Sequence, residues 1–140
     1  MVLREAVEDD GEEVARLLAA LGYPCEAAFA GRRILEYARD TASCVLVAQA
    51  GSALAGLVAV HLLPLLHEEG SLCRTMALVV SEEWRRRGVG RALVQAAEEW
   101  ARGRGAARME VTSGEGRPGA HAFYRALGYE EEGRRFVKRF

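Results

Sequence analysis

The sequence predicts an α/β fold, a twisted mixed sheet of six or seven strands flanked by about four helices. Three features carry that expectation. Met76-Ala77-Leu78-Val79-Val80 has the residues of a buried strand, and Ala92, Leu93, Ala96, Ala97 and Trp100 recur after it at helical spacing. Ala106 to Ser113 follows that helix as another strand, making a β-α-β unit whose two strands should run parallel. Upstream, Cys44-Val45-Leu46-Val47-Ala48 and Leu54 to Leu63 flank the turn residues Ala50-Gly51-Ser52-Ala53. Half of the 140 residues are hydrophobic, enough for one core, so residues 1–140 read as a single domain.

In chain order, Val2 to Val7 alternates as a first strand. Asp9-Asp10-Gly11-Glu12-Glu13 should start a helix, an Asp cap with Glu three residues later. Val14, Leu17, Leu18 and Leu21 form its buried stripe, and Gly22-Tyr23-Pro24 ends it. Phe29, Ile34, Leu35 and Tyr37 lie on a second helical stretch, interrupted by Gly31. Leu54 to Leu63 is mostly apolar on both faces, which suits a central strand, with Pro64 at its end or at a bulge. Leu65 to Gly70 is a connection and Ser71 to Val80 the next strand. A loop over 113–119 precedes a short helix, Ala120 to Leu127, closed by Gly128. Tyr129 to Phe140 is expected to complete the sheet as two short strands.

The formal net charge of −1 provides no global field for nucleic acid or an anionic membrane, so neither is an expected partner. Cys25, Cys44 and Cys73 are odd in number and lack Cys-x-x-Cys spacing, which suggests buried thiols in a reducing, cytoplasmic compartment. No signal peptide is expected, since the N-terminus reads directly into a strand. Leu57 to Leu66 falls far short of the ~20 residues of a membrane span. His61, His67 and His121 are far apart with no metal-binding pairing, so no metal is expected.

Between the apolar strand and its helix lies Trp84-Arg85-Arg86-Arg87-Gly88-Val89-Gly90-Arg91. A helix N-terminus leaves several backbone N–H groups without partners at the positive end of the helix dipole. Gly88 and Gly90 add no side chain over that backbone, and the arginines add charge. The combination suits a phosphate or pyrophosphate. There is no third glycine for a dinucleotide fingerprint and no Gly-Lys-Ser/Thr for a P-loop, which disfavours a nucleotide-binding regulatory domain.

Arg85, Gly88 and Gly90 stand where the Arg/Gln-x-x-Gly-x-Gly/Ala segment of the Gcn5-related N-acetyltransferases (GNAT) has its motif residues, and the loop resembles that segment. Downstream, Ala120-His121-Ala122-Phe123-Tyr124-Arg125-Ala126-Leu127-Gly128-Tyr129 resembles the Ala-x-x-Phe-Tyr-x-x-x-Gly-Phe/Tyr signature of the same family. The resemblance implies the acyl-coenzyme A N-acyltransferase fold, with acetyl-coenzyme A as co-substrate. It implies that Arg85, Arg86, Arg87, Gly88, Val89, Gly90 and Arg91 hold the pyrophosphate. Leu78, Val79 and Val80 would pair with the pantetheine arm where the strands before and after the long helix splay. It places Arg117, His121, Phe123 and Tyr124 at the coenzyme, with Arg117 where many members carry Asn.

The resemblance further implies that the Tyr124 hydroxyl protonates the departing thiolate, a role open to a phenol because it is ordinarily protonated at neutral pH. Met109-Glu110-Val111 is similar to the Leu-Glu-Val strand of ribosomal-protein N-terminal acetyltransferases, which implies Glu110 as proton acceptor for the amine. Alternation alone also allows a solvent-facing Glu110, with Glu68 and Glu69 as the next candidates. Thr112-Ser113-Gly114, Arg117, Ala120-His121, Phe123-Tyr124 and Arg135-Phe136-Val137-Lys138 resemble a subgroup that acetylates small amines, such as aminoalkylphosphonate N-acetyltransferases. The expected activity is direct acetyl transfer to a small primary amine, with a homodimer compatible with the fold. A peptide or protein acceptor and a non-catalytic acyl-coenzyme A-binding module are the alternatives.

Overall fold

Apolar and β-branched runs form the strands β1 (Val2–Glu5), β2 (Ser43–Ala50), β3 (Ala53–Pro64), β4 (Ser71–Val80) and β5 (Ala106–Val111). Amphipathic stretches form the helices α1 (Gly11–Leu21), α2 (Ala27–Arg39), α3 (Val89–Arg102) and α4 (Pro118–Ala126). The computed structural model describes residues 1–112 and 118–140. Two units are distinguished, Met1–Glu110 and Val111–Phe140.

In the first unit the strands lie in the order β1-β2-β3-β4-β5. The first four pair antiparallel. β3 is central and buried along most of its length, as its mostly apolar run predicts. At the start of β4 the Ser71 N–H donates to the Gly105 carbonyl at 3.4 Å, and farther along Arg74 reaches Glu110. Residue numbers rise together on the two strands, so β5 runs parallel to β4 across α3.

Both faces of the sheet are covered. Val89, Leu93, Ala97 and Ala101 of α3 pack with Cys44, Ala48, Val58, Val60, Leu62 and Cys73 on one face. Val14, Ala15 and Leu17 of α1 and Ala30 and Ile34 of α2 pack with Val47, Leu54, Leu57 and Val79 on the other.

Three local expectations need correction. Gly31 does not interrupt the second helix. It is buried where α2 meets α1, and a Cβ on Gly11 would lie 2.6 Å from the Ala27 carbonyl oxygen and 3.0 Å from the Gly31 nitrogen. The small residue serves helix–helix contact rather than a break. Gly11→Ala should therefore destabilise the protein by about 1–3 kcal/mol, read from the urea unfolding midpoint.

Asp10, in turn, makes no side-chain cap on α1. Its carboxylate takes two hydrogen bonds from Arg4, at 2.8 and 2.9 Å, and one from the Val7 N–H at 2.8 Å. The Arg4 guanidinium holds the Asp10 carboxyl below the ordinary carboxylate range, against the opposing effect of burial. A carboxyl depressed in the folded state contributes stability above its unfolded value and loses it as pH falls through its folded one. The unfolding midpoint should fall below about pH 4, and less steeply in Asp10→Asn, which has no charge to lose.

The third correction concerns strand number. Among the described residues the sheet has five strands, because 129–140 forms none. Glu130, Glu131, Glu132, Arg134, Arg135, Lys138 and Arg139 break up the apolar alternation, and every residue from Glu130 to Phe140 is exposed. Phe136, Val137 and Phe140 are exposed among these charges and lie in no strand. In the second unit α4 ends as expected at Gly128 (φ +91°), whose N–H donates to the Arg125 carbonyl.

Candidate active site

The basic loop is fixed from below. Ser81, buried at the end of β4, donates its N–H to the Ala55 carbonyl and accepts from the Trp84 N–H, which winds Glu82–Trp84 into a 3-10 turn. The Arg85 Nε approaches the Val80 carbonyl at 3.4 Å, and the Arg87 guanidinium stacks 5.1 Å from the Trp84 ring centroid. Arg86 adopts φ +63° and Gly88 φ +83°. These two left-handed residues flank Arg87, whose φ is not positive, and alternation of backbone hand is what turns successive N–H groups toward one side in an anion-binding nest. A non-glycine residue there is strained, which points to a functional constraint.

Val89 is buried at the first turn of α3 and anchors it. The first helical hydrogen bond is from the Ala92 N–H to the Gly88 carbonyl, so the N–H groups of Val89, Gly90 and Arg91 have no helical partner. Arg85, Arg86, Arg87 and Arg91 are all exposed around them. The site is chemically suited to a diphosphate. On β4, just before it, Leu78, Val79 and Val80 pair with Val58, Leu57 and Gly56.

Glu110 lies between two guanidiniums. One oxygen accepts from Arg74 at 3.0 Å and the other from Arg108 at 2.9 Å, while Arg108 also reaches Glu68 at 3.2 Å. Neither arginine was singled out from the sequence. Arg74 joins this group through parallel pairing of β4 with β5, which no local motif announces.

A second group at this end of the sheet also comes from register. Ser43 on β2 pairs with His61 on β3, which pairs with Arg74 on β4. The Ser43 hydroxyl lies 2.7 Å from His61 Nδ1 and donates to Asp40 Oδ2 at 2.8 Å. The Ala42 N–H and then the Ser43 hydroxyl hold the Asp40 carboxyl below its usual range. Asp40, Ser43 and His61, with Arg33, Glu36, Tyr37 and Met76, line a cleft of about 280 Å³ beside α2. Burial raises the Tyr37 phenol above its ordinary value. A polar histidine within an apolar strand was the one sequence signal of this group.

Burial pushes the Cys44 and Cys73 thiols up to about 11, so both stay protonated at neutral pH and neither is a ready nucleophile. Among the described residues no group of histidine, cysteine and carboxylate side chains is placed to hold a metal ion.

In the second unit, Tyr124 is half-buried on α4, its ring edge-on to Phe123 at 5.2 Å and tilted against Tyr129 at 5.6 Å. Its carbonyl accepts from Leu127 and Tyr129, which close the helix. His121 and Phe123 are partly buried on the same helix. Arg117 lies outside the described residues.

A family model described as Acetyltransferase (GNAT) family matches residues 10–129. Among solved structures, a transcriptional regulator from Bacillus halodurans is 26% identical, with 99% of each chain covered and a TM-score of 0.90. A GNAT family acetyltransferase from Staphylococcus aureus is 20% identical, covering 99% of this chain and 98% of that one, with a TM-score of 0.83. An aminoglycoside acetyltransferase from an uncultured soil metagenomic sample, in complex with sisomicin, is 19% identical over 99% and 95% of the chains, with a TM-score of 0.82. These likenesses show a shared fold. No curated protein matches.

Proposed function

Because the chain belongs to the GNAT acetyltransferase family, we propose that it moves an acetyl group from acetyl-coenzyme A directly to the primary amine of a small molecule. The observation that carries the reading is the basic loop before α3, where the N–H groups of Val89, Gly90 and Arg91 have no helical partner. Anions bind at such helix N-termini. The residues from Arg85 to Arg91 would hold the pyrophosphate, Leu78, Val79 and Val80 the pantetheine arm, and Arg117, His121 and Phe123 further parts of the coenzyme. When bound, acetyl-coenzyme A supplies the acetyl group as an activated thioester. Tyr124 holds a proton at Oη for the departing sulfur. An ammonium has to lose a proton before its nitrogen can attack, and the family resemblance offers Glu110 as the acceptor.

A small acceptor is favoured by the modest cleft beside α2 and by the C-terminal likeness to aminoalkylphosphonate N-acetyltransferases. The reading treats residues 1–140 as one catalytic domain. It sets the protein in the reducing cytoplasm, in keeping with three free thiols. Among the described residues no helix is long and apolar enough to cross a membrane.

A panel of aminoalkylphosphonates, polyamines, aminoglycosides and short peptides tests the proposal, with acetyl-coenzyme A as donor and free thiol as readout. Amine-dependent thiol release, strongest for a small amine, is expected. A second reading, a non-catalytic acyl-coenzyme A-binding module, draws on the Bacillus halodurans relative, a transcriptional regulator. Such a module would bind coenzyme A and release no thiol with any amine.

A further inference from the structure

The geometry points to His61, rather than Glu110, as the proton acceptor for the amine, with Ser43 and Asp40 as the positioning residues that set its tautomer. The inference rests on the acetyl-transfer reading. A serine hydroxyl has one proton to donate. Asp40 is an acceptor held in its ionised form by the Ala42 N–H and the Ser43 hydroxyl, so the Ser43 proton goes to Asp40 Oδ2. The Ser43 oxygen then accepts, and His61 Nδ1, 2.7 Å away, carries the hydrogen. In a neutral imidazole the other nitrogen is then the base. Nε2 has the free lone pair, and His61 lines the cleft beside α2.

Glu110, by contrast, is already engaged on both sides. Each of its oxygens accepts from a guanidinium, Arg74 on one side and Arg108 on the other. Among the described residues, no partner is found for His61 Nε2. The charged and titratable groups around the imidazole are Arg33, Glu36 and Tyr37 from α2, Asp40 beyond it, and Arg74 across the strand pair. The Asp40 carboxylate, whose hydrogen bonds come from the neutral Ala42 N–H and Ser43 hydroxyl, favours an ammonium at the cleft. Arg33 pairs with Glu36 at 2.7 Å and Arg74 with Glu110, so neither guanidinium stands unpaired against it. The proton step is simple in balance. The ammonium N–H bond breaks, its electron pair stays on nitrogen, and Nε2 takes the proton. The resulting imidazolium returns it to solvent.

Two measurements test this. Nitrogen-15 NMR of the imidazole should show the hydrogen on Nδ1 in the wild type and a loss of that preference in Ser43→Ala. A hydrogen on Nε2 in the wild type would overturn the assignment. With the amine that gives the fastest wild-type turnover, His61→Ala should lose about 10²–10⁴-fold in turnover number, with coenzyme A affinity unchanged. Added imidazole should restore part of the loss in His61→Ala and none of any loss in Glu110→Gln. Full activity in His61→Ala, or a loss that imidazole leaves untouched, contradicts the proposal. His61→Gln, which keeps the bulk, covers a folding defect in the alanine variant and should be equally slow. If no amine releases thiol from the wild type, the transfer reading itself has failed, and the nitrogen spectrum still decides the tautomer.

Discussion

Replacing Tyr124 with phenylalanine should lower the turnover number by ~10²–10⁴-fold, the range for losing a general acid. A thiolate leaving without a proton is a poorer leaving group, so the hydroxyl matters in the transition state and little in the ground state. That separation predicts a fall in turnover number with nearly unchanged affinity for coenzyme A. The ring stays, and with it the contacts to Phe123 and Tyr129. Losing one hydroxyl hydrogen bond costs only about 0.5–1.5 kcal/mol of stability, too little to unfold the protein. Steady-state kinetics beside a thermal melt therefore read chemistry apart from fold. Wild-type turnover in Tyr124→Phe would make the residue a packing tyrosine.

Gly90→Val should weaken coenzyme A binding by at least about tenfold. Helical Cα–Cβ bonds tilt toward the N-terminus, so a side chain at residue 90 leans over the unpartnered N–H groups of the first turn. Each charge-assisted hydrogen bond lost is worth roughly 1.5–3 kcal/mol, and 1.4 kcal/mol is a factor of ten in affinity. Valine is a better helix former than glycine, so α3 should persist. Arg102→Ala, at the exposed far end of α3, is the control and should bind as wild type. Equal affinities for Gly90→Val and wild type by calorimetry would remove the loop from the binding site.

The elements most legible in the sequence are those with a long, one-sided pattern. The bounds expected for β4 are those observed, and the stripe of Leu93 and Ala97 does face the core. Local chemistry misleads where a residue outside the local pattern competes for the same group or space. Asp10 looks like a helix cap in isolation, but Arg4 takes its carboxylate. Gly31 looks like a helix break until the close approach of Gly11 is known.

The candidate site divides in the same way. Its loop lies in one continuous stretch, where glycines, arginines and a helix start are all visible together. The group of Asp40, Ser43 and His61 is assembled by strand register, which a linear pattern does not encode. The same holds for Arg74 and Glu110, brought together from separate strands. The tail after Gly128 invites two strands by position alone, but charged residues interrupt its alternation and it forms none.

Phosphorus NMR of coenzyme A titrated with the protein tests the central claim most directly, that the loop before α3 holds a pyrophosphate. The two diphosphate resonances should shift or broaden with wild-type protein, and Gly90→Val at the same concentration should leave them near their free positions. Diphosphate resonances unaffected by the wild-type protein, or equally affected by both proteins, would contradict it.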